Sequence, residues 1–262
     1  MTLLPVTLFL YVTAMVFALL DGGFPHRSLY RLFLVCAWAG FLIESAALGS
    51  VWAHRGIPPA VNLHELFLVT AWAILGLYLL LYPMIQSRRI LPFFLMPLVT
   101  LNFLLGNAIP ETAVEPKPYY FSAWFAVHIL LLVFGMAFFF LSFLYAAIFI
   151  MQDHSLRNRR SPSPLPIPSL EEAERWSARL LMAGFPVFTL GIVSSAAYGI
   201  MHGRSGDWKP GVLEISSVVA WVILGLAIYG WLTAKVHPRR RSWLVVAGAA
   251  FSVLIILGIV WH

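Results

Sequence analysis

Eight long apolar runs, separated by short segments rich in turn-forming and charged residues, constrain this chain more than any other feature. They lie at about 3–20, 30–50, 63–83, 90–109, 120–151, 177–201, 213–234 and 242–261. A helix needs about 20 apolar residues to cross the roughly 30 Å hydrocarbon core of a bilayer, and these runs are close to that length or longer. Inside lipid each backbone N–H and C=O must find a partner within the protein, so the runs predict helices and not open strands. Composition points the same way. With 61% hydrophobic and 11% charged residues, a globule of 262 residues has too little interior to hide its apolar surface. The predicted fold is all-α, a polytopic membrane helix bundle of about eight transmembrane helices forming a single transmembrane domain over 1–262.

The breaks between runs carry turn chemistry: Asp21-Gly22-Gly23, Gly56-Ile57-Pro58-Pro59, Ser87-Arg88-Arg89 and Val236-His237-Pro238. Two connections are longer. Residues 110–118 hold three prolines, and 153–175 combines a basic Ser/Pro-rich stretch with Ser169-Leu170-Glu171-Glu172-Ala173-Glu174. The latter predicts a cytoplasmic loop followed by an N-capped interfacial helix that leads into span six. The first run has no basic n-region and no small-residue cleavage site after it, so it reads as a retained helix and not as a signal peptide. The lone Cys36 leaves no disulfide framework and no CxxC redox pair.

Net charge is +6, yet the seventeen Lys and Arg stand singly or in short clusters between apolar runs. They form no basic face long enough to track phosphates, which argues against nucleic acid as a partner. They do sort by side. Arg27, Arg31, Arg88, Arg89, Arg157, Arg159, Arg160, Arg175, Arg179, Lys235, Arg239, Arg240 and Arg241 belong to the connections after spans one, three, five and seven, or to adjacent helix ends. Arg55, Lys117, Arg204 and Lys209 belong to the opposite side. Thirteen against four predicts, by the positive-inside rule, that both termini face the extracytoplasmic side.

With that orientation the scarce polar residues gather on one face. Five of the eight histidines fall there: His54, His64, His128, His202 and His262. His26, His154 and His237 fall in basic cytoplasmic segments, where solvated side chains are expected. His128 stands about eight residues into span five, roughly 12 Å deep at 1.5 Å per residue. An ionisable group inside the membrane marks a site by default, although one interhelical hydrogen bond to a carbonyl would also satisfy an imidazole. Two neutral imidazoles on different helices, His128 and His262, could bind a haem iron from opposite axial positions. Zinc would want further N or S ligands. His64 could substitute for either, with Asn62 and Glu65 orienting it from behind. Trp208 stands in a loop where nothing forces an exposed aromatic, and it could lie against a porphyrin. Trp124, Trp221, Trp231 and Trp261 fit that idea too, although interfacial belts alone predict most of them. Glu214 falls in the first turn of span seven, where a carboxylate favours the positive helix end. Glu44 lies within span two, either hydrogen-bonded to a neighbouring helix or protonated, with a proton-relay role left open.

These residues resemble a known family, the cytochrome c assembly proteins of the CcsA/ResC/HemX type, over roughly 55–262. Pro58-Pro59-Ala60-Val61-Asn62-Leu63-His64-Glu65 is similar to that family's Pro-Pro…Asn-x-x-Glu opening of the third span. Trp124-Phe125-Ala126-Val127-His128, running to Ser142-Phe143-Leu144-Tyr145, resembles its His-bearing helix. Gly184-Phe185-Pro186-Val187-Phe188-Thr189-Leu190-Gly191-Ile192 is similar to its Gly-Phe-Pro-Leu-Leu-Thr-Leu-Gly-Ile. The family's Trp-rich external loop, Trp-x-Trp-Asp-Pro-Lys-Glu with a further Trp seven residues on, keeps Trp208, Glu214 and Trp221. Its second Trp, Asp and Pro-Lys become Pro210, Gly211 and Val212-Leu213. A histidine late in span seven is replaced near Tyr229, and the external tail is reduced to Trp261-His262.

The resemblance implies haem b held at the extracytoplasmic face of a bacterial cytoplasmic membrane, for delivery to apocytochrome c beside a ResB-like membrane partner. His128 and His262 would be iron ligands, with Trp208, Glu214, His64, Asn62 and Glu65 around them. At most it implies part of a haem-lyase or synthase system, and the altered loop leans toward the shorter HemX-like branch. Two other readings stay open: a non-catalytic membrane subunit or scaffold that kept the fold and lost haem, and a small-solute transporter. The transporter has little support, since neither paired broken helices nor an inverted repeat is visible.

Overall fold

The structure is a computed structural model that describes residues 3–85, 89–111, 117–158, 167–201 and 212–258. For 198, 199, 212–214 and 253–258 only the backbone is described. The described residues form eight long helices and one short 3-10 turn, Pro118–Phe121, with no strand among them. The helices are α1 (Leu3–Gly23), α2 (Arg27–Arg55), α3 (Leu63–Leu81), α4 (Leu91–Ala108), α5 (Ala123–Arg157), α6 (Leu170–Met201), α7 (Val212–Leu232) and α8 (Pro238–Gly258). Helices α1 to α7 each contain a stretch long and apolar enough to cross a membrane, and α8 covers most of the eighth apolar run. Large apolar side chains such as Phe9, Val35, Leu80 and Leu226 point outward, an arrangement that suits lipid and not water. The chain is a multi-pass membrane helix bundle.

Among the described residues each predicted run is helical over most of its length, but the ends differ from the apolar limits. Capping chemistry extends helices past the lipid-crossing stretch. The turn predicted at Asp21-Gly22-Gly23 is the end of α1 itself, and the chain breaks after Gly23. Asp21 can stay helical and buried there because it is paired. It accepts from the His26 N–H at 2.9 Å and from Arg89, at 2.5 Å from Nη2 and 3.2 Å from Nε. His26 and His237, expected as merely solvated, act at helix starts. The Nδ1 of each accepts a backbone N–H, from Ser28 and Arg239 respectively, both at 3.3 Å. Gly56 ends α2 in the left-handed region (φ 71°), where a glycine costs no Cβ strain. The helix predicted at 169–174 is continuous with span six in α6, and α5 runs on to Arg157.

The chain divides into two compact units. The first holds residues 1–114 and 158–169 and therefore α1 to α4; the second holds 115–157 and 170–262 and therefore α5 to α8. In the first unit α3 is the most enclosed span. Tyr11, Phe33, Tyr78 and Phe103 are fully buried, with Tyr11 edge-on to Phe103 at 5.3 Å. The Trp72 indole stacks on Phe41 and donates to the Ser45 hydroxyl at 2.7 Å, tying α3 to α2.

In the second unit α5 and α6 share the largest helix–helix interface. A Cβ at Gly184 would come within 2.5 Å of the Phe138 Cβ, and one at Gly191 within 2.7 Å of Leu132. Between membrane helices, where lipid is as apolar as leucine, such close backbone approach is a main source of association. The buried Ser142 hydroxyl donates to the Ser177 carbonyl at 2.8 Å across the same pair. A Gly184→Leu substitution should therefore cost about 1–3 kcal/mol through overpacking. Gly49→Leu, where nothing lies within 4 Å, should be nearly neutral. Thermal unfolding of the detergent-solubilised variants, followed by tryptophan fluorescence, checks the difference.

Candidate functional site

The 3-10 turn at Pro118–Phe121 sets where α5 begins. Ser122 follows it and its hydroxyl accepts the Phe125 N–H at 3.1 Å, so α5 starts at Ala123, later than the apolar run suggested. His128 is thus only five residues into the helix, roughly 8 Å from its start by helical rise. Trp124 and His128 are four apart and share a face. Both reach the same stretch of α6. The Trp124 indole N–H donates to the Ser194 carbonyl at 3.0 Å. The His128 Nδ1 lies 2.9 Å from the Gly191 carbonyl and 3.0 Å from the Ser194 hydroxyl.

That contact fixes the tautomer. A carbonyl oxygen only accepts, so Nδ1 carries the proton and donates it. The Ser194 hydroxyl also donates to the Gly191 carbonyl, at 2.7 Å, which can take both because it has two lone pairs. The lone pair of His128 then resides on Nε2, for which no hydrogen-bond partner occurs among the described residues. A half-buried imidazole with Nδ1 anchored and Nε2 free is the form in which histidine ligates a metal.

The segment 184–192 holds this arrangement in place through two faces. Gly184, Phe188 and Gly191 meet α5, where Phe139 lies edge-on to Phe188 at 5.1 Å. Phe185 and Thr189 meet α7. There Trp221 stacks on Phe185 at 5.4 Å and its indole donates to the Thr189 hydroxyl at 2.9 Å. Trp221 is accordingly a structural tie between α6 and α7. Glu214 falls in the first turn of α7, with its side chain outside the described residues. Trp208 and His262 also lie outside the described residues, as do His202 and Trp261.

The other named residues meet in the first unit. Asn62 caps α3 by accepting the Glu65 N–H at 2.8 Å, and Glu65 reaches back to the Val61 N–H at 3.1 Å. This is close to a capping box. Glu65 is also paired with Arg55, which joins it to Glu111. The Glu65 side chain is only 5% exposed, so this partner keeps a buried carboxylate neutralised. Glu65 is thereby spent on the helix start and the ion pair, and the bond that orients His64 comes from elsewhere. The His64 Nδ1 lies 2.7 Å from the Gly106 carbonyl, which again leaves the lone pair on Nε2.

His64 and His128 belong to different compact units, each with an imidazole anchored through Nδ1. Among the described residues no three His, Cys, Asp or Glu side chains gather as a metal cluster. The Gly191, Ser194 and Gly106 partners were not evident in the sequence. The four-residue spacing of Trp124 and His128 was the available signal for a shared face. Arg55 and Glu111 carry an ion-pair network that the charge tally alone could not show.

These features define a class, a multi-pass membrane helix bundle carrying carbonyl-anchored histidines with the second ring nitrogen available. The family of Cytochrome C assembly proteins matches residues 60–262, and the chain belongs to it. The chain is 28% identical over 242 residues to Protein HemX of Brevibacillus brevis, covering 90% of this chain and 85% of that one. It is 24% identical over 259 residues to the Cytochrome c biogenesis protein CcsA of Synechococcus sp. (strain RCC307), covering 87% and 81%. With CcsA of Trieres chinensis it shares 22% identity over 241 residues, covering 79% and 75%.

Solid-state nitrogen NMR of ring-labelled protein without added ligand tests the tautomer. The His128 and His64 rings should both show a protonated Nδ1 and an unprotonated Nε2. The reverse assignment at His128 would contradict the bond to Gly191.

Proposed function

We propose that the protein handles haem in cytochrome c biogenesis, holding haem b at the extracytoplasmic membrane face for delivery or assembly. The observation that carries this reading is the anchored His128, whose Nε2 is left with a free lone pair. His128 and His262 would hold the haem iron, with His64 as the substitute. Haem is here the cargo. The protein's part is to hold each imidazole in its ligating tautomer and to keep the ring at the membrane surface. In this reading Trp208 would lie against the porphyrin, and Glu214, in the first turn of α7, would belong to the same set. Asn62 and Glu65, by capping α3, position His64 at its first turn.

Membership in the cytochrome c assembly family and the names of its relatives support this assignment. The charge asymmetry supports an orientation with both termini outside, in what this reading takes to be a bacterial cytoplasmic membrane. Apocytochrome c is the acceptor this reading implies, and a ResB-like membrane protein is the partner.

Purified protein loaded with haem should give a b-type band in a reduced-minus-oxidised spectrum. His128→Ala should lower haem affinity roughly tenfold or more, about 1.4 kcal/mol, while leaving helical content unchanged. Haem affinity unaltered by His128→Ala would refute the ligand assignment. A preparation that takes up no haem but co-purifies with a stoichiometric partner would favour the scaffold reading, to which the changes at Pro210 and Gly211 also point.

A further inference from the structure

Glu44 stands apart from the other acids of the chain. The eight other acidic residues that the structure describes lie in connecting segments or in the first or last two turns of a helix. Glu44 lies near the middle of α2 and is completely buried. Among the described residues it has no cationic partner. Its Oε2 accepts the hydroxyl of Tyr11, itself fully buried on α1, and its Oε1 has no partner among the described residues.

Each helix of the first unit contributes a buried polar side chain near this level: Tyr11, Glu44, Thr70 and Thr100. The Thr100 hydroxyl of α4 is 3.5 Å from the Tyr11 carbonyl. On α3, Thr70 is 4% exposed and its hydroxyl also lacks a partner among the described residues. His64 opposes Gly106 across the antiparallel α3 and α4, so counting six residues along each brings Thr70 level with Thr100. Among the described residues of these four helices the other ionisable groups are set apart from Glu44 along the chain, the nearest on α2 itself being Cys36, eight residues away. Tyr11 faces Glu44 from α1, α4 carries none, and those of α3 (His64, Glu65 and Tyr78) lie toward its ends.

We infer that Glu44, with Tyr11 as its fixed hydrogen-bond donor, is a proton-binding site in the interior of the first unit, separate from the haem-handling histidines. One donated hydroxyl does not offset the cost of holding a bare carboxylate in the interior of a helix bundle, with no cation beside it among the described residues. The resting group is the neutral acid, with Oε2 as the carbonyl oxygen that accepts from Tyr11 and the proton on Oε1. Binding adds one proton and removes one negative charge; release returns the proton to water and needs water to reach Oε1. Any movement that wets these residues therefore couples proton release to the separation of α1 from α2 and α4.

Infrared spectroscopy of the full chain in lipid nanodiscs at neutral pH tests the inference. A protonated-carboxyl band should be present, disappear in Glu44→Gln, and move to higher frequency in Tyr11→Phe, which removes the hydrogen bond to the carbonyl oxygen. Tyr11→Phe retains the acid, so it serves should Glu44→Gln fail to fold. A lipid-soluble carbodiimide, which couples to protonated carboxyls, should label the Glu44 peptide, and sodium should not protect it. If wild type lacks the band, or if Tyr11→Phe leaves it unmoved, the inference is overturned. Sodium protection would also overturn it, by showing a site for a metal cation in place of a proton.

Discussion

In a bilayer a polar side chain cannot turn to water, and this protein answers that constraint by bonding several of its polar side chains across neighbouring helices. Tyr11 meets Glu44, Trp72 meets Ser45, Ser142 meets Ser177, Trp221 meets Thr189, and His128 meets Gly191. Each bond links two spans that lipid alone would leave free to slide. The last one has a chemical consequence as well as a structural one. By taking the proton of Nδ1 it determines which nitrogen of His128 is available. The close approach of α5 and α6 at Gly184 and Gly191 is what brings the carbonyl within reach.

The helices were legible because lipid imposes a length and an apolar composition that no soluble element needs. Their ends were less so. Asp21, beside two glycines, looks like a turn, and only its bonds to His26 and Arg89 explain why α1 continues past it. His26 and His237 looked like solvated side chains, since neither resembles the usual Ser, Thr, Asp or Asn cap, yet each accepts a backbone N–H at a helix start.

The candidate site shows the same division. His128 and His64 could be singled out because polar residues are scarce in the spans. Their partners could not, because a backbone carbonyl has no signature of its own and Gly106 and Gly191 look like ordinary small residues. Asn62 and Glu65 were noticed for the right spacing. That spacing belongs to a capped helix start, and Arg55 and Glu111 complete the local charge balance. The 184–192 segment stood out as a family likeness, and the structure gives it a physical cause: one face serves α5 and the other α7.

The most direct measurement of whether His128 holds haem iron is ligand replacement. Haem-loaded His128→Gly protein should lose the low-spin spectrum of six-coordinate iron, and free imidazole added to it should restore that spectrum by occupying the vacated position. A His128→Gly protein that keeps the wild-type spectrum without imidazole would contradict the assignment of this residue as an axial ligand.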